Sequence, residues 1–383
     1  MFYRFGPYHL ARLLATRNVA DIVGIECTPI DHIYQWERIQ VPDGVRIHSF
    51  FPGAVTSAVS ADDMFARAVS LLSDIRPDVV AVPGWASSFP LTMLKAAHTL
   101  GIPATVMSES QRIDFRRTPV KEWVKRRLVE MYSSAVVGGQ PHEEYMMELG
   151  MKREAIFHRM DAVDNEHFSR ACQVPGAGPR KRMLMASARF IRKKNLIGLL
   201  TAYSLYRKAA GERAWPLTIL GDGPLKNKID DFIRKERLEE FVSLPGFIQY
   251  SELPKHYANA SLFVHASTSE QWGLVVNEAM AAGLPVLVSN RCGCARDLVS
   301  PGVNGFTFSP NDHQQLASLL VELTSNEGRL ASMGLASTKI ISKWDVEYFA
   351  EQLVMAAKYA VDQPAKRATA LQLKGLDILA RLI

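Results

Sequence analysis

The chain has 383 residues, long for a single hydrophobic core, so two domains are expected. With 48% hydrophobic and 22% charged residues and no apolar run near the ~18 residues of a membrane span, it reads as an ordinary soluble globular protein and not as a disordered or membrane-spanning chain. A net charge of +6 points to an anionic partner such as a nucleotide, phosphate, acidic glycan or membrane surface, while the four cysteines, Cys27, Cys172, Cys292 and Cys294, lack the spacing of a disulfide or zinc framework and suggest a reducing, cytoplasmic setting.

No signal peptide is read at the start. "MFYRFGPYHLARLLA" places a glycine–proline loop, Gly6-Pro7, after only five residues, with an amphipathic helix behind it. In a doubly wound fold such a loop follows the first, central strand. That strand is therefore short here or the true start lies upstream, and the second is expected. Strands are expected at 19–26, 44–50, 77–85, 103–108 and 134–139, with helices over 61–75, 90–100 and 119–132. Short apolar runs bounded by Gly or Pro and alternating with helices predict a parallel sheet covered on both faces. The polar stretch "CQVPGAGPRKR" (172–182) reads as a linker. The alternation then restarts, with strands at 183–188, 216–221, 241–246, 261–266 and 285–289. The expected fold class is α/β, with two Rossmann-like doubly wound domains and a short or missing first N-terminal strand. The expected division is 1–167, a linker over 168–182, a second domain over 183–344 and C-terminal helices over 345–383.

Chemistry concentrates in "SEQWGLVVNEAMAAGLPVLVS" (269–289). Glu270 falls in the loop at the carboxyl end of a strand, and Glu278 about a turn into the following helix, which Gly283 and Pro285 end sharply. That helix's first turn, around Gly273 and Leu274, has unpaired N–H groups and a positive dipole end suited to phosphate. A carboxylate just inside it can accept hydrogen bonds from the vicinal hydroxyls of a ribose, and the one ahead can do so for a sugar. The bland alternative is a solvated Glu270 and a Glu278 on the polar face of the helix. In "SARFIRKKN", Arg189 and Lys194 leave a strand end five residues apart and can grip a diphosphate from two sides. Here the alternative is a solvated charge run. "LGDGPLK" gives a tight turn at Gly221 and Gly223 that lets backbone approach a ligand, but Lys226 stands where GxGxxG needs its third glycine.

Taken in this order, with "LPGFIQYSELPKHYANASLFVHAS", "GCARDLVSPGVNGFTF" and "AVDNEHF", these segments resemble the retaining glycosyltransferases of family four, which adopt the GT-B fold. The resemblance is specific over 162–344. Over the N-terminal half it rests on strand order, "FGPYHLARL" and "RPDVVAVPGW". It implies two Rossmann-like domains facing each other across a cleft, with the C-terminal helices crossing back to the first. The implied reaction moves a sugar from a UDP- or GDP-sugar to a glycan, lipid-linked or small-molecule acceptor with retention, as in polysaccharide biosynthesis. Arg189 and Lys194 would bind the diphosphate, Glu270 the transferred sugar and Glu278 the ribose. The N–H groups of Gly273 and Leu274 would lie nearby, Gly221 and Gly223 would line the donor site, and Gly246, Phe247 and Ile248 would face the base. Arg189, Lys194 and Glu270 are the expected catalytic groups. No cofactor is implied, and the absence of Asp-x-Asp favours these cations over a metal.

Many relatives carry a histidine where this chain reads "VMSESQRIDF" (106–115). Glu109 is the expected acceptor- or donor-sugar contact there, a capping or solvated role being the alternative. Gly6 and His9 are the other expected acceptor contacts, with a plain surface histidine as the alternative. The segment "VKEWVKRRLVEMY" (120–132) is basic and amphipathic. In several relatives such a patch touches anionic lipid, so peripheral contact at the inner face of a membrane is one reading. A buried stripe beneath a solvated basic face is the favoured one. Nucleic acid is not an expected partner, because the cations are dispersed. An oxidoreductase is disfavoured for want of its glycine fingerprint. A GT-B epimerase or a non-catalytic nucleotide-sugar binder remains the alternative to transfer.

Overall fold

The computed structural model describes residues 1–29, 39–53, 59–172, 180–364 and 366–382, so 173–179 of the expected linker lie outside the described residues. Contacts gather the chain into two compact units: Met1–Ala162 with Val346–Ile383, and Val163–Asp345.

In the first unit, β1 (Gly24–Glu26) pairs in parallel with β2 (Ile47–Ser49). A second parallel sheet runs in chain order through β3 (Val80–Pro83), β4 (Ala104–Ser108), β5 (Ser134–Val137) and β6 (Ile156–Phe157). Every residue of β4 and β5 is buried, as their short apolar runs require when both faces are covered. The strand expected at 19–26 contracts to three residues. Of residues 1–5, Phe2 alone forms a ladder bridge, with Glu26, while the Met1 ammonium donates to the Ala81 carbonyl at 3.0 Å. Helix Pro7–Arg17 opens on a proline, whose missing N–H costs nothing at that position. Helix Val346–Asp362 lays Phe349, Ala350, Leu353 and Ala356 against Ala15, Met107, Val136 and Ala162. Helix Ala370–Leu382 is tied to helix Ser88–Leu100 by a Lys95–Asp377 ion pair of 2.6 Å.

The basic helix spans Pro119–Val129 and corrects part of its expectation. Leu128 and Val129 are buried, but Val120 and Trp123 are 73% and 58% exposed, so the apolar side chains do not all belong to a buried stripe.

The second unit holds β7 (Leu184–Ser187), β8 (Leu217–Leu220), β9 (Val242–Gly246), β10 (Leu262–His265), β11 (Val286–Ser289) and β12 (Gly305–Phe308). They form one parallel sheet in the order β12-β11-β10-β7-β8-β9. The order reverses between β7 and β10, which makes their carboxyl ends the switch point where open α/β sheets take ligands. β12 was not among the expected strands. The core is Leu, Ile and Val of the strands against Phe190, Tyr203, Tyr206 and Trp215. Among the described residues no helix is long and apolar enough to cross a membrane.

Candidate functional site

β10 ends at His265, and the loop that follows carries Glu270 before helix Leu274–Ala281 begins. The Glu270 backbone is pinned on both sides. Its N–H donates to the Arg291 carbonyl at 3.3 Å, and its carbonyl accepts from Gly293 N–H at 3.0 Å. The residue is 8% exposed, so the solvated alternative fails. Its carboxylate contacts the Lys194 ammonium through Oε2 and lies 3.4 Å from Lys193 Nζ through Oε1. Ser267 Oγ donates to Oε2 at 3.2 Å, and His265 Nε2 is 3.5 Å away. Burial pushes the Glu270 carboxyl pKa up, but His265, Lys194 and Lys193 together outweigh it and hold the group well below the usual carboxylate range.

The loop leaving β7 brings the cations. Lys193 O accepts from Thr268 N–H at 2.8 Å, and Asn195 Nδ2 donates to the Ala266 carbonyl at 3.1 Å, so the loops after β7 and β10 are fastened together. Lys194 is thereby delivered to Glu270. Arg189 lies exposed two residues beyond β7, on the same loop as Lys193 and Lys194.

Gly221 and Gly223, after β8, have a structural purpose beside the one expected. Both have positive φ, +127° and +154°, and a Cβ on Gly221 would lie 1.9 Å from the Ala188 carbonyl oxygen. The backbone they admit closely is the loop after β7, where Phe190 N–H donates to the Asp222 carbonyl at 2.8 Å. The glycines weld the loops bearing the site. Gly221 N–H also donates to the Gly246 carbonyl at 2.8 Å, which places Gly246 beside them, with Phe247 and Ile248 half-buried beyond the end of β9.

Gly273, at φ +111°, precedes helix Leu274–Ala281, and Trp272 is locked by its Nε1–H donating to Asn277 Oδ1 at 2.8 Å. Glu278, in that helix, is 1% exposed and accepts the Tyr257 hydroxyl at 2.7 Å. It does not occupy a polar helix face. Burial, and then the Glu278 charge, push the Tyr257 pKa far up, so this phenol remains a donor. His265, Ser267 and Tyr257 were missed in the sequence. His265 and Ser267 stand only five and three residues before Glu270, at the end of β10 and in the same loop, while Tyr257 reaches Glu278 from helix Leu253–Asn259, and no spacing rule marks them as partners.

The acceptor-side candidates lie in the first unit. Gly6 N–H donates to His9 Nδ1 at 3.2 Å, and the His9 ring packs on Phe2 at 4.1 Å between centroids. Burial, then Arg12 and the chain's amine, lower the His9 pKa to about 3, so the ring is neutral near pH 7. Glu109, half-buried just past β4, neighbours Asp161, a residue the sequence reading did not single out. Asp161 is 1% exposed and its pKa is raised, by burial first and Glu109 next, against the pull of Arg12. Arg12 in turn donates to the Ala162 carbonyl at 2.9 Å. Cys292 and Cys294 are buried in the second unit, with thiol pKa values raised by burial and by neighbouring charge. Among the described residues, no cluster of three or more His, Cys, Asp or Glu is arranged to hold a metal ion.

Residues 171–339 match the family described as glycosyl transferases group 1. The alpha-monoglucosyldiacylglycerol synthase of Acholeplasma laidlawii is 32% identical over 161 residues, which make up 41% of this chain and 39% of that enzyme. The chain thus spans about two fifths of that curated relative. A glycogen synthase of Mycobacterium tuberculosis is 24% identical over 305 residues, 76% of this chain and 72% of the synthase. Among solved structures, Anabaena HepE in complex with UDP superposes with a TM-score of 0.66 at 19% identity, covering 82% of this chain and 86% of HepE. Residues 171–339 therefore carry the glycosyl transferases group 1 pattern, and the chain of two Rossmann-like parallel-sheet units has the GT-B fold.

Proposed function

We propose that the chain moves a sugar from a nucleotide diphosphate sugar to a glycan, lipid-linked or small-molecule acceptor, with retention of configuration and without a metal. The observation that carries this reading is the buried Glu270 carboxylate drawn onto Lys194 at the switch point between β7 and β10. A UDP- or GDP-sugar fits the reading, and the UDP bound in the HepE structure favours uridine. As the glycosidic bond to the leaving diphosphate stretches, negative charge builds on its oxygens. Lys194, held on Glu270, and Arg189 are cations able to stabilise that charge, and preorganised electrostatics can supply much of a rate enhancement.

Glu270, held ionised, is an acceptor of sugar hydroxyls and not a proton donor. Glu278, oriented by Tyr257, accepts the ribose hydroxyls. Gly273 and Leu274 offer N–H groups to phosphate, and Gly246, Phe247 and Ile248 face the base. Gly6, His9 and Glu109 of the first unit hold the acceptor. The same reading sets the protein in the cytoplasm, in peripheral contact with the inner face of a membrane.

The test follows nucleoside diphosphate release from UDP- and GDP-sugars across an acceptor panel and reads the product's anomeric configuration by NMR. Transfer with retention is expected. Lys194→Ala and Glu270→Ala are each expected to lower turnover by ~10²–10³-fold with the fold intact. Near-normal turnover in either variant, or an epimerised donor in place of a transferred sugar, contradicts the reading.

A further inference from the structure

His265 closes β10, is 3% exposed, and yet faces charge. Its Nε2 lies 3.5 Å from Glu270 Oε2 and 3.3 Å from Ser267 Oγ, and Ser267 donates to the same Oε2 at 3.2 Å. The ring stacks along Phe263, with centroids 6.5 Å apart and planes 13° apart. Other titratable groups around it are Lys193 and Lys194, both held on Glu270, and the buried thiols of Cys294, close to the ring, and of Cys292, close to Glu270. The Cβ position at Gly273 lies 3.5 Å from His265 Nε2 and 3.6 Å from Cys294 Sγ, so Gly273 keeps this wall thin. Both thiols stay protonated, because burial raises their pKa values. The charge balance at His265 is therefore set by one carboxylate and two ammonium groups.

Glu270 is ionised and can only accept, so Nε2 carries the proton that points at it and an added proton must sit on Nδ1. Burial, then Lys194 and Lys193, keep the imidazole neutral, while Glu270 pulls the other way. An anionic diphosphate seated on Lys194 changes that balance in one direction, because it cancels ammonium charge beside a carboxylate that stays.

We propose that His265 is a positioning residue for Glu270 and takes up a proton from solvent when a nucleotide diphosphate sugar draws Lys194 off that carboxylate. The new imidazolium replaces the departing ammonium as counter-charge and holds Glu270 in place for the sugar. This rests on the donor-site reading above, and its test separates the two.

The test is calorimetric titration of the full chain with UDP-glucose and GDP-mannose at about pH 6.5, where a small shift in an imidazole changes its charge, in buffers of different ionisation heat. The diphosphate of a nucleotide sugar is a diester with no proton to exchange near neutrality, so any uptake belongs to the protein. Uptake of roughly half a proton or more is expected for the sugar nucleotide that binds, with affinity falling as pH rises by up to about tenfold per unit. In His265→Gln, whose amide can still donate to Glu270, binding is expected to persist with uptake near zero and a flat pH profile. His265→Asn serves the same purpose if the glutamine variant does not fold. Binding without proton uptake overturns the inference and leaves the donor site standing. Uptake that survives in the folded His265 variant overturns the assignment to His265. No binding of either sugar nucleotide overturns the donor site and this inference together.

Discussion

Glu270 shows how a carboxylate can be buried at low cost. Burial alone favours its neutral form, but a histidine, a serine and two lysines converge on it, and their combined attraction keeps it charged. The sign of its contribution to stability follows. A carboxyl whose folded pKa lies below its ordinary value near 4.5 adds stability that is fully present above that value and is lost as pH falls through the folded pKa. Glu270→Gln should therefore be less stable than the parent protein at neutral pH, and the gap should narrow as pH drops below the ordinary value. Urea unfolding at a series of pH values checks this, and a gap that stays constant into acid contradicts it. At this scale the sequence was half legible. The nine residues "EQWGLVVNE" put one carboxylate in a loop and one in a helix, where the structure has them. Tyr257 and Asp161 were not legible as partners, because each acts across the fold on a residue with which it shares no periodic pattern, while His265 and Ser267, only five and three residues before Glu270, sit where no local pattern fixes which way the loop turns its side chains.

At the scale of elements, alternating apolar runs and helices made the parallel sheets of both units visible. The strands that escaped were those with little run to read: β6 has two residues, and β12 opens on a glycine that weakens any strand signal. The glycines after β8, expected to let backbone approach a ligand, also serve loop-to-loop contact, which only the neighbouring backbone reveals. The segment around helix Pro119–Val129 is the other element whose reading shifts. Ile113, Phe115, Val120 and Trp123 are exposed among Arg112, Arg116, Lys121, Arg126 and Arg127. Its carboxylate Glu122 is turned onto Lys125 and Tyr145, 3.0 Å from Lys125 Nζ and 2.7 Å from the Tyr145 hydroxyl. Cations facing outward around scattered apolar side chains suit an anionic lipid surface. Co-sedimentation should therefore show binding to vesicles containing phosphatidylglycerol and little to phosphatidylcholine alone. Replacing Arg116, Lys121 and Arg126 by Glu should weaken it by at least ~3 kcal/mol, at about 1 kcal/mol per cation removed. Equal partition of the parent and the triple variant contradicts the membrane contact.

At the scale of the whole molecule, the net charge of +6 is not spread evenly. Residues 112–127 hold seven Arg and Lys against two carboxylates, so the basic character seen in composition is concentrated on one stretch of the first unit. Composition indicated an anionic partner but not where it would bind, because a sum over residues carries no position. The second unit gathers its own chemistry at the switch point of its sheet, where β7 and β10 bring Lys194 and Glu270 together. The central claim is that this point binds a nucleotide diphosphate sugar, and thermal-shift titration of the full chain with UDP, GDP, ADP and NAD tests it most directly. One nucleoside diphosphate at 100 times its dissociation constant should stabilise the protein by ~2.7 kcal/mol, while NAD has no effect and Lys194→Ala loses most of the shift. No response to any of the three diphosphates, or a response to NAD alone, would contradict the account.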